Sequence, residues 1–458
     1  MNPRVFREYD IRGVAETDFP DAFNAELGDA IAEHLLEAGA KHITLGRDCR
    51  VSSPRIHKVI QARLVASGLM VEDIGIVHSP GLYFSVFHQK ADGGVMITAS
   101  HNPEDDNGFK IMLGKGTIFG AAIQKLRERI ENHHKHGAPV WKTPGVLRDV
   151  DILTPYIDYV AKNMRLGSRR FKVVVDGGNG TGGISVVPIL RQLGFEVDAL
   201  FCDPDGRFPN HHPDPTVPEN LAALIARVRE TGAEIGIALD GDGDRLGVVD
   251  PQGRIVWGDQ MMILFSRAIL KALPGATFVS EVKCSQKMYD DITAHGGRAI
   301  MWKVGHSLIK TKMKEEHAVL AGEMSGHMFF ADRYFGFDDG VYAAARMVEL
   351  LSQSERPLSS LVDDLPVVHN TPEIRMPCPD DVKFEVVRRA LAYFKARLPV
   401  VEVDGARVQW PGGWGLVRAS NTGPVLVLRC EADSPARLAE IRAELEGVLA
   451  GIKKELGV

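Results

Sequence analysis

The sequence predicts a soluble α/β protein of several domains, and two observations lead to this prediction. The chain has 458 residues, of which 45% are hydrophobic and 25% charged, and this is enough apolar surface for several cores. One local pattern occurs three times: a short apolar strand, a polar or glycine-rich turn, a helical stretch and a second strand. Alternation of this kind is typical of βαβ units. We therefore expect three topologically similar mixed α/β domains in tandem, followed by a smaller C-terminal α+β domain.

The three repeats have strands and helices of similar length. Their strand, helix and strand are predicted at 42–46, 56–68 and 70–76, at 171–175, 184–194 and 195–200, and at 276–280, 287–297 and 298–302. Ligands of open α/β sheets gather where strands end. The loops that follow these strands are therefore where we expect functional residues.

The pattern changes after about residue 366, where one antiparallel sheet backed by helices is expected. The predicted elements are a strand at 367–376, a helix at 380–398, short strands around 400–405, 406–413, 414–420 and 424–433, and a closing helix at 434–456. The predicted domains are 1–145, which carries a serine loop, 146–250, which carries an acidic loop, 251–366 and 367–458.

Composition excludes several classes of protein. The net charge of −6 comes without a basic stripe, which argues against nucleic-acid binding. The five cysteines are scattered and form no C-x-x-C pair, which argues against a disulfide framework or zinc site and for a reducing compartment. The sequence shows no signal-peptide pattern and no run of 18 apolar residues, so no membrane span is expected. We expect a cytoplasmic protein.

The string Asp240-Gly-Asp-Gly-Asp-Arg245 follows the apolar strand 234–239 and predicts a cation site. The two glycines let the backbone turn so that three carboxylates converge. At about 4 Å and an effective dielectric constant near 20, each pair would repel by ~4 kcal/mol without a cation. A compact all-oxygen site suits Mg²⁺. An EF-hand does not fit, because Arg245 and Pro251 stand where its loop needs Gly and Glu. The alternative is a solvated acidic turn.

The string Thr98-Ala-Ser-His-Asn-Pro103 follows another apolar strand, 94–98, and offers a nucleophile. Adjacent residues of an extended chain point in opposite directions, so Ser100 and His101 fit a hydrolase triad poorly, and no G-x-S-x-G elbow is present. A serine that carries a phosphoryl group fits better, because it needs a metal and cations rather than a permanently bonded histidine. The alternative is a helix-capping or turn serine.

Three further strings are ambiguous when taken singly. Gly322–His327 offers Glu, Ser and His for sugar hydroxyls, or is an ordinary polar loop. Arg418–Pro424 offers a guanidinium, hydroxyls and an amide for a phosphate, or is a β-turn. Gly178–Gly183 matches the dinucleotide pattern G-x-G-x-x-G with Asp198 near the position of a ribose-binding acid, but a tight strand-to-helix turn is favoured because nothing else supplies hydride chemistry.

In order, the strings FREYDIRG, TASHNP, DGDGDR, GEMSGH and RASNTGP resemble the α-D-phosphohexomutase family, specifically its bacterial phosphomannomutase/phosphoglucomutase branch. The resemblance covers essentially the whole chain. It implies three related α/β domains and a smaller fourth one, arranged as a heart with a central cleft. One departure is Gly423, where Thr or a similar residue is expected, and it changes backbone freedom more than phosphate chemistry.

The resemblance also implies a site. Ser100 is the implied phosphoserine, and one Mg²⁺ per chain is held by a Ser100 phosphate oxygen together with Asp240, Asp242 and Asp244. The other implied catalytic residues are Arg12, His101, Lys110 and His306. The implied substrate-binding residues are Tyr9, Arg245, Lys283, Glu323, Ser325, His327, Arg418, Ser420, Asn421 and Thr422. Within that set, Glu323 and Ser325 would contact the sugar 3- and 4-hydroxyls, and the last four would hold the phosphate that is not transferred.

The implied activity is interconversion of hexose 1-phosphate and hexose 6-phosphate, of mannose or glucose, by a monomer or weak homo-oligomer that binds small sugar phosphates. Phosphorylated Ser100 would form a hexose 1,6-bisphosphate, which turns over inside the protein and also serves as activator. Lys110, His101 and His306 are the candidates for the general acid and the general base, and the sequence does not assign these roles among them. Phosphoglucosamine mutase is the near alternative, against which Met324 argues. A Mg²⁺-dependent phosphatase acting through Ser100 and a non-enzymatic sugar-phosphate sensor are the others.

Overall fold

The structure is a computed structural model that describes residues 1–421 and 423–458. Thr422, predicted to bind phosphate, lies outside the described residues. The chain divides into two compact units. The first comprises Met1–Gly258 and Ser325–Asp363, and the second comprises Asp259–Met324 and Asp364–Val458. The predicted third domain, 251–366, contributes to both units, and the three boundaries between the four predicted domains stay predictions.

The first sheet lies in the first unit and has a parallel centre. Its strands are β1 (Ile11–Val14), β2 (His42–Arg47), β3 (Met70–Ile76), β4 (Gly93–Ile97), β5 (Asp106–Leu113), β6 (Gly116–Thr117) and β7 (Leu147–Asp149). Its helices are α1 (Ala15–Asp18), α2 (Asp21–Glu37), α3 (Ser53–Ala66), α4 (Ser79–His88) and α5 (Ala121–His136), after a 3₁₀ turn at Pro3–Val5. The order is β1-β5-β4-β2-β3-β7, in which β4, β2, β3 and β7 are parallel and β5 runs antiparallel to both of its neighbours, β1 and β4. Every residue of β4 is buried, so the loop after Ile97 starts from a rigid strand end.

The second sheet has the order β12-β11-β10-β8-β9 and also belongs to the first unit. Its elements are α6 (Leu153–Asn163), β8 (Lys172–Asp176), α7 (Gly183–Gln192), β9 (Glu196–Leu200), a 3₁₀ turn (Pro218–Leu221), α8 (Ala222–Thr231), β10 (Ile235–Leu239), β11 (Leu246–Val249) and β12 (Ile255–Val256). Strands β9, β8 and β10 are parallel, whereas β11 returns antiparallel to β10. The acidic string is therefore a hairpin loop at the carboxyl end of a fully buried strand.

The segment Ser325–Asp363 packs on the rest of the first unit through aromatic rings and hydrogen bonds. It contains β16 (Met328–Phe330), α12 (Gly340–Gln353) and α13 (Leu358–Asp363). The Phe335 ring stacks on that of Tyr159 on α6 with ring centroids 5.3 Å apart, and the hydroxyl of Tyr156 on the same helix donates to the Asp339 carboxylate at 2.9 Å. Asp339 also caps α12, since its carboxylate accepts from the Tyr342 N–H. These contacts fix the position of the preceding loop, which carries His327.

The second unit contains a parallel sheet and an antiparallel sheet. The elements around the parallel sheet are α9 (Gly258–Ala272), β13 (Thr277–Glu281), α10 (Gln286–Ala294), β14 (Arg298–Trp302), α11 (His306–Glu315) and β15 (Leu320–Gly322). Those around the antiparallel sheet are β17 (His369–Asn370), β18 (Ile374–Pro377), α14 (Lys383–Lys395), β19 (Val400–Val401), β20 (Ala406–Trp410), β21 (Gly413–Ala419), β22 (Val425–Ala432) and α15 (Pro435–Leu456). Strand β13 lies between β14 and β15, and the antiparallel order is β17-β22-β21-β20-β19 with β18 also on β22.

All three predicted repeats have their strands and helices in the structure. The predicted strand 367–376 is wrong as one element, because it is split into β17 and β18. Pro372 has no N–H for the ladder, and the hydroxyl of Thr371 accepts from the Cys430 N–H at 3.0 Å in place of a backbone carbonyl. Among the described helices, none is both long and apolar enough to cross a membrane.

Candidate functional site

Ser100 lies in a left-handed turn at the end of β4. Its φ is 52°, and only 3% of the residue is exposed. Such a conformation costs a non-glycine residue about 1–2 kcal/mol, so it persists only where the surroundings enforce it. The Ser100 N–H donates to the Thr98 hydroxyl at 3.0 Å. The turn therefore presents the serine hydroxyl in one direction.

The Ser100 hydroxyl donates to Asp240 Oδ2 at 2.7 Å and lies 3.2 Å from His101 Nδ1. The expectation that Ser100 and His101 point apart is wrong, because the left-handed backbone at Ser100 is not extended. A hydrolase triad still does not follow, since the carboxylate bonds the serine rather than the histidine. Burial and the nearby guanidinium groups of Arg245 and Arg12 hold the pKa of His101 well below its usual value.

The three aspartates of the hairpin loop converge as predicted. Asp240, Asp242 and Asp244 are at most 2% exposed, and one oxygen from each lies within 4.8 Å of the others. Gly241 is required where the two loops meet, because a Cβ there would clash with the Ser100 carbonyl oxygen. Gly180 packs on the same loop, since a Cβ there would lie 2.6 Å from the Gly241 carbonyl oxygen.

This contact explains the pattern Gly178–Gly183. The glycines let one backbone approach another, and the segment is the turn between β8 and α7. Among the described residues the turn faces protein where a dinucleotide phosphate would have to lie, so the favoured prediction of a tight turn agrees with the structure.

Lys110 on β5 supplies a cation to the aspartates. Its ammonium donates to Asp242 Oδ2 and Asp244 Oδ2, both at 2.6 Å, and to the Ser79 hydroxyl at 3.3 Å. Burial alone would lower the pKa of Lys110, but Asp242 and Asp244 hold it well above the usual value. For the Asp244 carboxyl the directions are reversed: burial alone would raise its pKa, but Lys110 and His327 lower it to about 2.

Asp240 is less well compensated. Burial, followed by the charges of Asp244 and Asp242, raises its pKa well above the usual value. Lys110 bonds only two of the three buried carboxylates, and the charge of Arg245 does not offset the burial and repulsion at Asp240, so the cluster is short of positive charge.

The donor set fits a hard divalent cation. Oδ1 of Asp242 and Oδ1 of Asp244 are buried and have no hydrogen-bond partner in the described part of the chain. Buried carboxylate oxygens are rarely left so, and two of them in an all-oxygen cluster indicate a ligand such as Mg²⁺. The three aspartates would hold it.

Arg245 and His327 lie beside the aspartates. The Arg245 N–H donates to Asp240 Oδ1 at 3.1 Å, and its Nε donates to His327 Nε2 at 3.2 Å. Since a guanidinium only donates, the proton of His327 is on Nδ1, which faces Asp244 and Asp338 at 3.5 and 3.4 Å. His327 therefore does not bind a metal through Nδ1 in this arrangement.

Arg12 reaches the serine loop from β1. Its Nη1 donates to Asn102 Oδ1 and its Nη2 to Asp10 Oδ2, both at 2.6 Å. Tyr9, just before β1, is half-buried. The structure thus brings Arg12 into contact with the TASHNP loop, while the predicted role of Tyr9 stays a prediction.

Several other predicted substrate-binding residues lie in the second unit. The Gly305 N–H, just before His306 at the start of α11, donates to Glu323 Oε1 at 2.8 Å. Lys283 Nζ lies 3.1 Å from Glu373 Oε2, and although burial alone would lower the pKa of Lys283, Glu281 and Glu373 raise it.

Arg418 lies at the end of β21 and has a carboxylate partner. Its Nε donates to Asp404 Oδ2 at 2.9 Å, and the Val304 N–H donates to the same oxygen at 3.0 Å. Ser420 is buried and Asn421 exposed, while Ser325, in the first unit, is half-buried. The substrate contacts predicted for these residues stay predictions.

Sequence reasoning missed residues that contact this machinery. The Ser79 hydroxyl donates to Asp242 Oδ2 at 2.5 Å.

A second missed segment is 208–215. His211 Nε2 lies 3.0 Å from Asp176 Oδ2, and its Nδ1 donates to the His212 carbonyl at 2.9 Å, so both ring nitrogens carry protons. Pro213, in the same segment, packs against Gly241. The only sequence signal was the polar string FPNHHPDP at 208–215. Arg50, Lys383 and Asp404 were missed as well.

A buried serine hydroxyl beside a carboxylate cluster that fits a hard cation, on an α/β fold, is typical of enzymes that transfer phosphoryl groups with metal assistance. Comparisons with known proteins then identify the family. Residues 3–137, 154–253 and 257–368 match the phosphoglucomutase/phosphomannomutase α/β/α domains I, II and III, and 373–448 match the C-terminal domain of those proteins. The chain belongs to the phosphoglucomutase/phosphomannomutase family and is an enzyme of that family. The matches confirm the predicted fold class.

Similar proteins cover almost the whole chain. A phosphomannomutase/phosphoglucomutase of Pseudomonas putida is 44% identical over 455 residues, covering 99% of this chain and 96% of its own. A phosphoglucomutase of Neisseria gonorrhoeae is 44% identical over 448 residues, covering 97% and 96%. The crystal structure of a phosphoglucomutase/phosphomannomutase family protein from Burkholderia thailandensis superposes with a TM-score of 0.92 at 39% identity, covering 98% of each chain.

Proposed function

We propose that this enzyme interconverts the 1- and 6-phosphates of mannose, glucose or both through a phosphoserine at Ser100. The observation that carries the proposal is the Ser100 hydroxyl, held in a left-handed turn 2.7 Å from Asp240 of the carboxylate cluster. The names of the relatives, phosphomannomutase/phosphoglucomutase and phosphoglucomutase, support these sugars.

In the first step, phosphorylated Ser100 gives its phosphoryl group to the free hydroxyl of a hexose monophosphate. The bond from phosphorus to Ser100 Oγ breaks and a bond from phosphorus to the sugar oxygen forms. The sugar hydroxyl loses its proton, and Ser100 Oγ gains one. The resulting hexose 1,6-bisphosphate turns end over end, and its other phosphoryl group returns to Ser100.

Charge must be compensated while the phosphoryl group passes. One Mg²⁺ per chain, held by Asp240, Asp242, Asp244 and a phosphate oxygen of Ser100, would supply electrostatic stabilisation of the transferring group. Lys110 and Arg12 contribute fixed positive charge at the same place. Hexose 1,6-bisphosphate would act as activator, because it rephosphorylates any Ser100 whose intermediate has escaped.

The proton must move between sugar and serine. Lys110, His101 and His306 remain the candidates, and His101 Nδ1 is the one that lies 3.2 Å from Ser100 Oγ. We propose His101 as the group that exchanges a proton with Ser100 Oγ.

We propose that the remaining residues bind the sugar phosphate. Arg245, Lys283 and His327 would face the substrate, with Tyr9 alongside. Glu323 and Ser325 would contact the sugar 3- and 4-hydroxyls. The phosphate that is not transferred would be held by Arg418, Ser420, Asn421 and Thr422. A cytoplasmic location and a monomeric or weakly oligomeric state also stay predictions; the five cysteines, all free in the described structure, support a reducing compartment.

The test supplies mannose 1-phosphate, glucose 1-phosphate and glucosamine 1-phosphate separately, each with Mg²⁺ and a trace of glucose 1,6-bisphosphate. Phosphorus NMR should show 6-phosphates of mannose or glucose without free phosphate, and intact mass should show one phosphoryl group that Ser100→Ala removes. Release of free phosphate would indicate a phosphatase, and a preference for the amino sugar would indicate a phosphoglucosamine mutase. Unchanged sugars with an unmodified protein would contradict the proposal.

A further inference from the structure

Arg50 donates hydrogen bonds to several backbone carbonyls of the serine loop. It lies between β2 and α3 and is 0% exposed. Its guanidinium donates to the carbonyl oxygens of Ser100 at 2.8 Å, Asn102 at 2.6 Å and Asp106 at 2.9 Å, and to that of Pro103 at 2.5 Å. One side chain therefore contacts four carbonyls within seven consecutive residues. A planar guanidinium has enough fixed donors for this, whereas an ammonium does not.

Asp48 is the carboxylate partner that holds Arg50 in this position. Its Oδ1 accepts from the Arg50 N–H at 3.0 Å and from the Ser53 hydroxyl at 2.5 Å, and its Oδ2 lies 3.2 Å from Arg50 Nε. The carboxylate compensates a guanidinium charge that is otherwise buried among neutral carbonyls. Asp48 and Ser53 thus hold Arg50 in place on the side away from the loop.

Arg50 also relates the serine loop to the acidic loop. The Ser100 carbonyl oxygen that accepts from Arg50 is the atom against which the Gly241 backbone packs, one residue from Asp240. On another side the Phe208 ring lies 5.1 Å from the guanidinium. Fixing the Ser100 carbonyl fixes the left-handed turn, and with it the direction of the Ser100 hydroxyl.

We propose that Arg50 is a positioning residue for phosphoryl transfer, which holds the loop 100–106 in the conformation that aims Ser100 Oγ at Asp240. This inference rests on the proposed function of Ser100. In the described contacts the Arg50 guanidinium meets loop carbonyls, Asp48 and the Phe208 ring, so it acts through the loop and not on the substrate. Its loss should slow the transfer step and leave sugar binding nearly unchanged.

The experiment measures how fast Ser100 takes up a phosphoryl group. Protein freed of phosphate by a phosphatase is mixed with Mg²⁺ and glucose 1,6-bisphosphate, and intact mass is followed over time. Misplacing a reacting group by about 1 Å costs ~100-fold, so Arg50→Met should be phosphorylated about 100-fold more slowly than wild type. Arg50→Lys should fall between them, because an ammonium reaches fewer of the four carbonyls. In turnover assays kcat should fall, while KM for mannose 1-phosphate stays within about twofold.

Arg169 is the matched control. It lies in the same unit, and its Nη1 donates to three carbonyl oxygens of another segment, those of Leu351, Ser354 and Arg356. Arg169→Met should lower the melting temperature as Arg50→Met does, but leave the phosphorylation rate within about twofold of wild type.

Each outcome decides the matter. A wild-type rate in folded Arg50→Met, or an equal slowing in Arg169→Met, overturns the role of Arg50. If Arg50→Met does not fold, Arg50→Lys decides, and a wild-type rate there overturns the inference. A wild-type protein that takes up no phosphoryl group contradicts the proposed function itself, and the role of Arg50 falls with it.

Discussion

Asp240 shows how a site is built at the expense of stability. It accepts from the Ser100 hydroxyl and the Arg245 N–H, yet burial and its neighbours Asp244 and Asp242 raise its pKa well above the usual value. The ammonium of Lys110 bonds the other two aspartates and not this one. The fold alone gains little from this carboxylate, which fits the metal-ligand role that we propose for it.

Asp240→Asn should stabilise the metal-free protein and inactivate the enzyme. The relief of repulsion, less the loss of the charge-assisted hydrogen bond from Ser100, leaves a net gain of about 1 kcal/mol, which corresponds to a melting temperature about 2 °C higher in EDTA. In excess MgCl₂ the order should reverse, because wild type gains binding energy that the variant has lost. Thermal melts in both buffers check this. Equal Mg²⁺ shifts in the two proteins would show that Asp240 is not a ligand.

His78 is a neutral histidine at the start of α4. Its Nδ1 accepts from the Gly81 N–H at 2.8 Å, so the proton is on Nε2, which donates to the Ser185 hydroxyl at 2.9 Å. Burial lowers its pKa to about 3. It thereby links the helix next to the serine loop with α7 of the second sheet.

Stability should therefore depend on pH through His78. Below about pH 6.5 the unfolded chain binds a proton that the folded chain does not, so the free energy of unfolding falls by up to about 1.4 kcal/mol per pH unit as the pH drops toward 3. His78→Asn keeps an acceptor for the helix cap but removes this slope. Urea titrations at pH 7, 6 and 5 compare it with wild type and with His136→Asn, an exposed control. Identical slopes in all three proteins would refute the assignment.

The same scale shows what the sequence could reveal. Ser100 and the three aspartates were predictable as site residues, because each lies in a short, chemically distinctive string that directly follows an apolar strand. Arg50 was not, because its partners lie about 50 residues further along the chain and its own string, RDCR, carries no pattern. The contact between Ser100 and His101 was mispredicted for another reason: one φ angle of 52° turns neighbouring side chains toward each other.

Among the elements, the loop after β21 is built like the serine loop. Lys383, at the start of α14, is 5% exposed and donates to the carbonyl oxygens of Ser420 at 2.6 Å and Gly423 at 3.1 Å, and to Asp380 Oδ1 at 2.7 Å. A buried ammonium that binds the carbonyls of Ser420 and Gly423 holds these two residues against the start of α14. The arrangement suits the phosphate-binding role proposed for Arg418 and its neighbours.

Lys383→Met should weaken binding of sugar phosphate more than it slows chemistry. We expect KM for glucose 1-phosphate to rise by about 10-fold, because loop order worth roughly 1.4 kcal/mol is lost from ground and transition states alike. Lys453→Met is the control, since Lys453 Nζ also donates to a carbonyl in this sheet domain, that of Pro377 at 2.7 Å. Steady-state kinetics on both variants check this, and an unchanged KM in Lys383→Met would contradict it.

Element by element, the sequence was a good guide wherever local pattern decides. Buried parallel strands have long apolar runs, and the helices between them follow the apolar period, so all three repeats were predictable. The break between β17 and β18 depends on Thr371 bonding the Cys430 N–H across the sheet, which no local pattern shows. The glycines at 178–183 match a dinucleotide-binding motif although they pack against another loop. Both a neighbouring backbone and a bound phosphate can come this close only where the residue has no Cβ.

At the scale of the whole molecule, each compact unit is built from two stretches that are separated in the chain. Residues 325–363 lie in the same compact unit as 1–258, although they follow the third repeat in the chain. The reason is a set of contacts between segments far apart in sequence: the Phe335 ring stacks on that of Tyr159, and the Tyr156 hydroxyl donates to Asp339. The serine and the carboxylates lie in the first unit, and Arg418 in the second. Each unit has its own hydrophobic core, with Val95 and Leu45 in one and Leu428 and Leu445 in the other.

Two cores of this kind should give two calorimetric transitions with separate responses. MgCl₂ at about 100 times its dissociation constant should stabilise the unit that holds Asp240, Asp242 and Asp244 by about 2.7 kcal/mol and leave the other transition in place. Gly447→Ala should do the opposite: Gly447 lies within α15 with open space where a Cβ would go, so alanine should add about 0.5–1 kcal/mol to the second unit alone. A single transition raised by both treatments would show that the chain unfolds as one cooperative body. A Mg²⁺ shift in the transition that Gly447→Ala raises would place the cation outside the aspartate cluster.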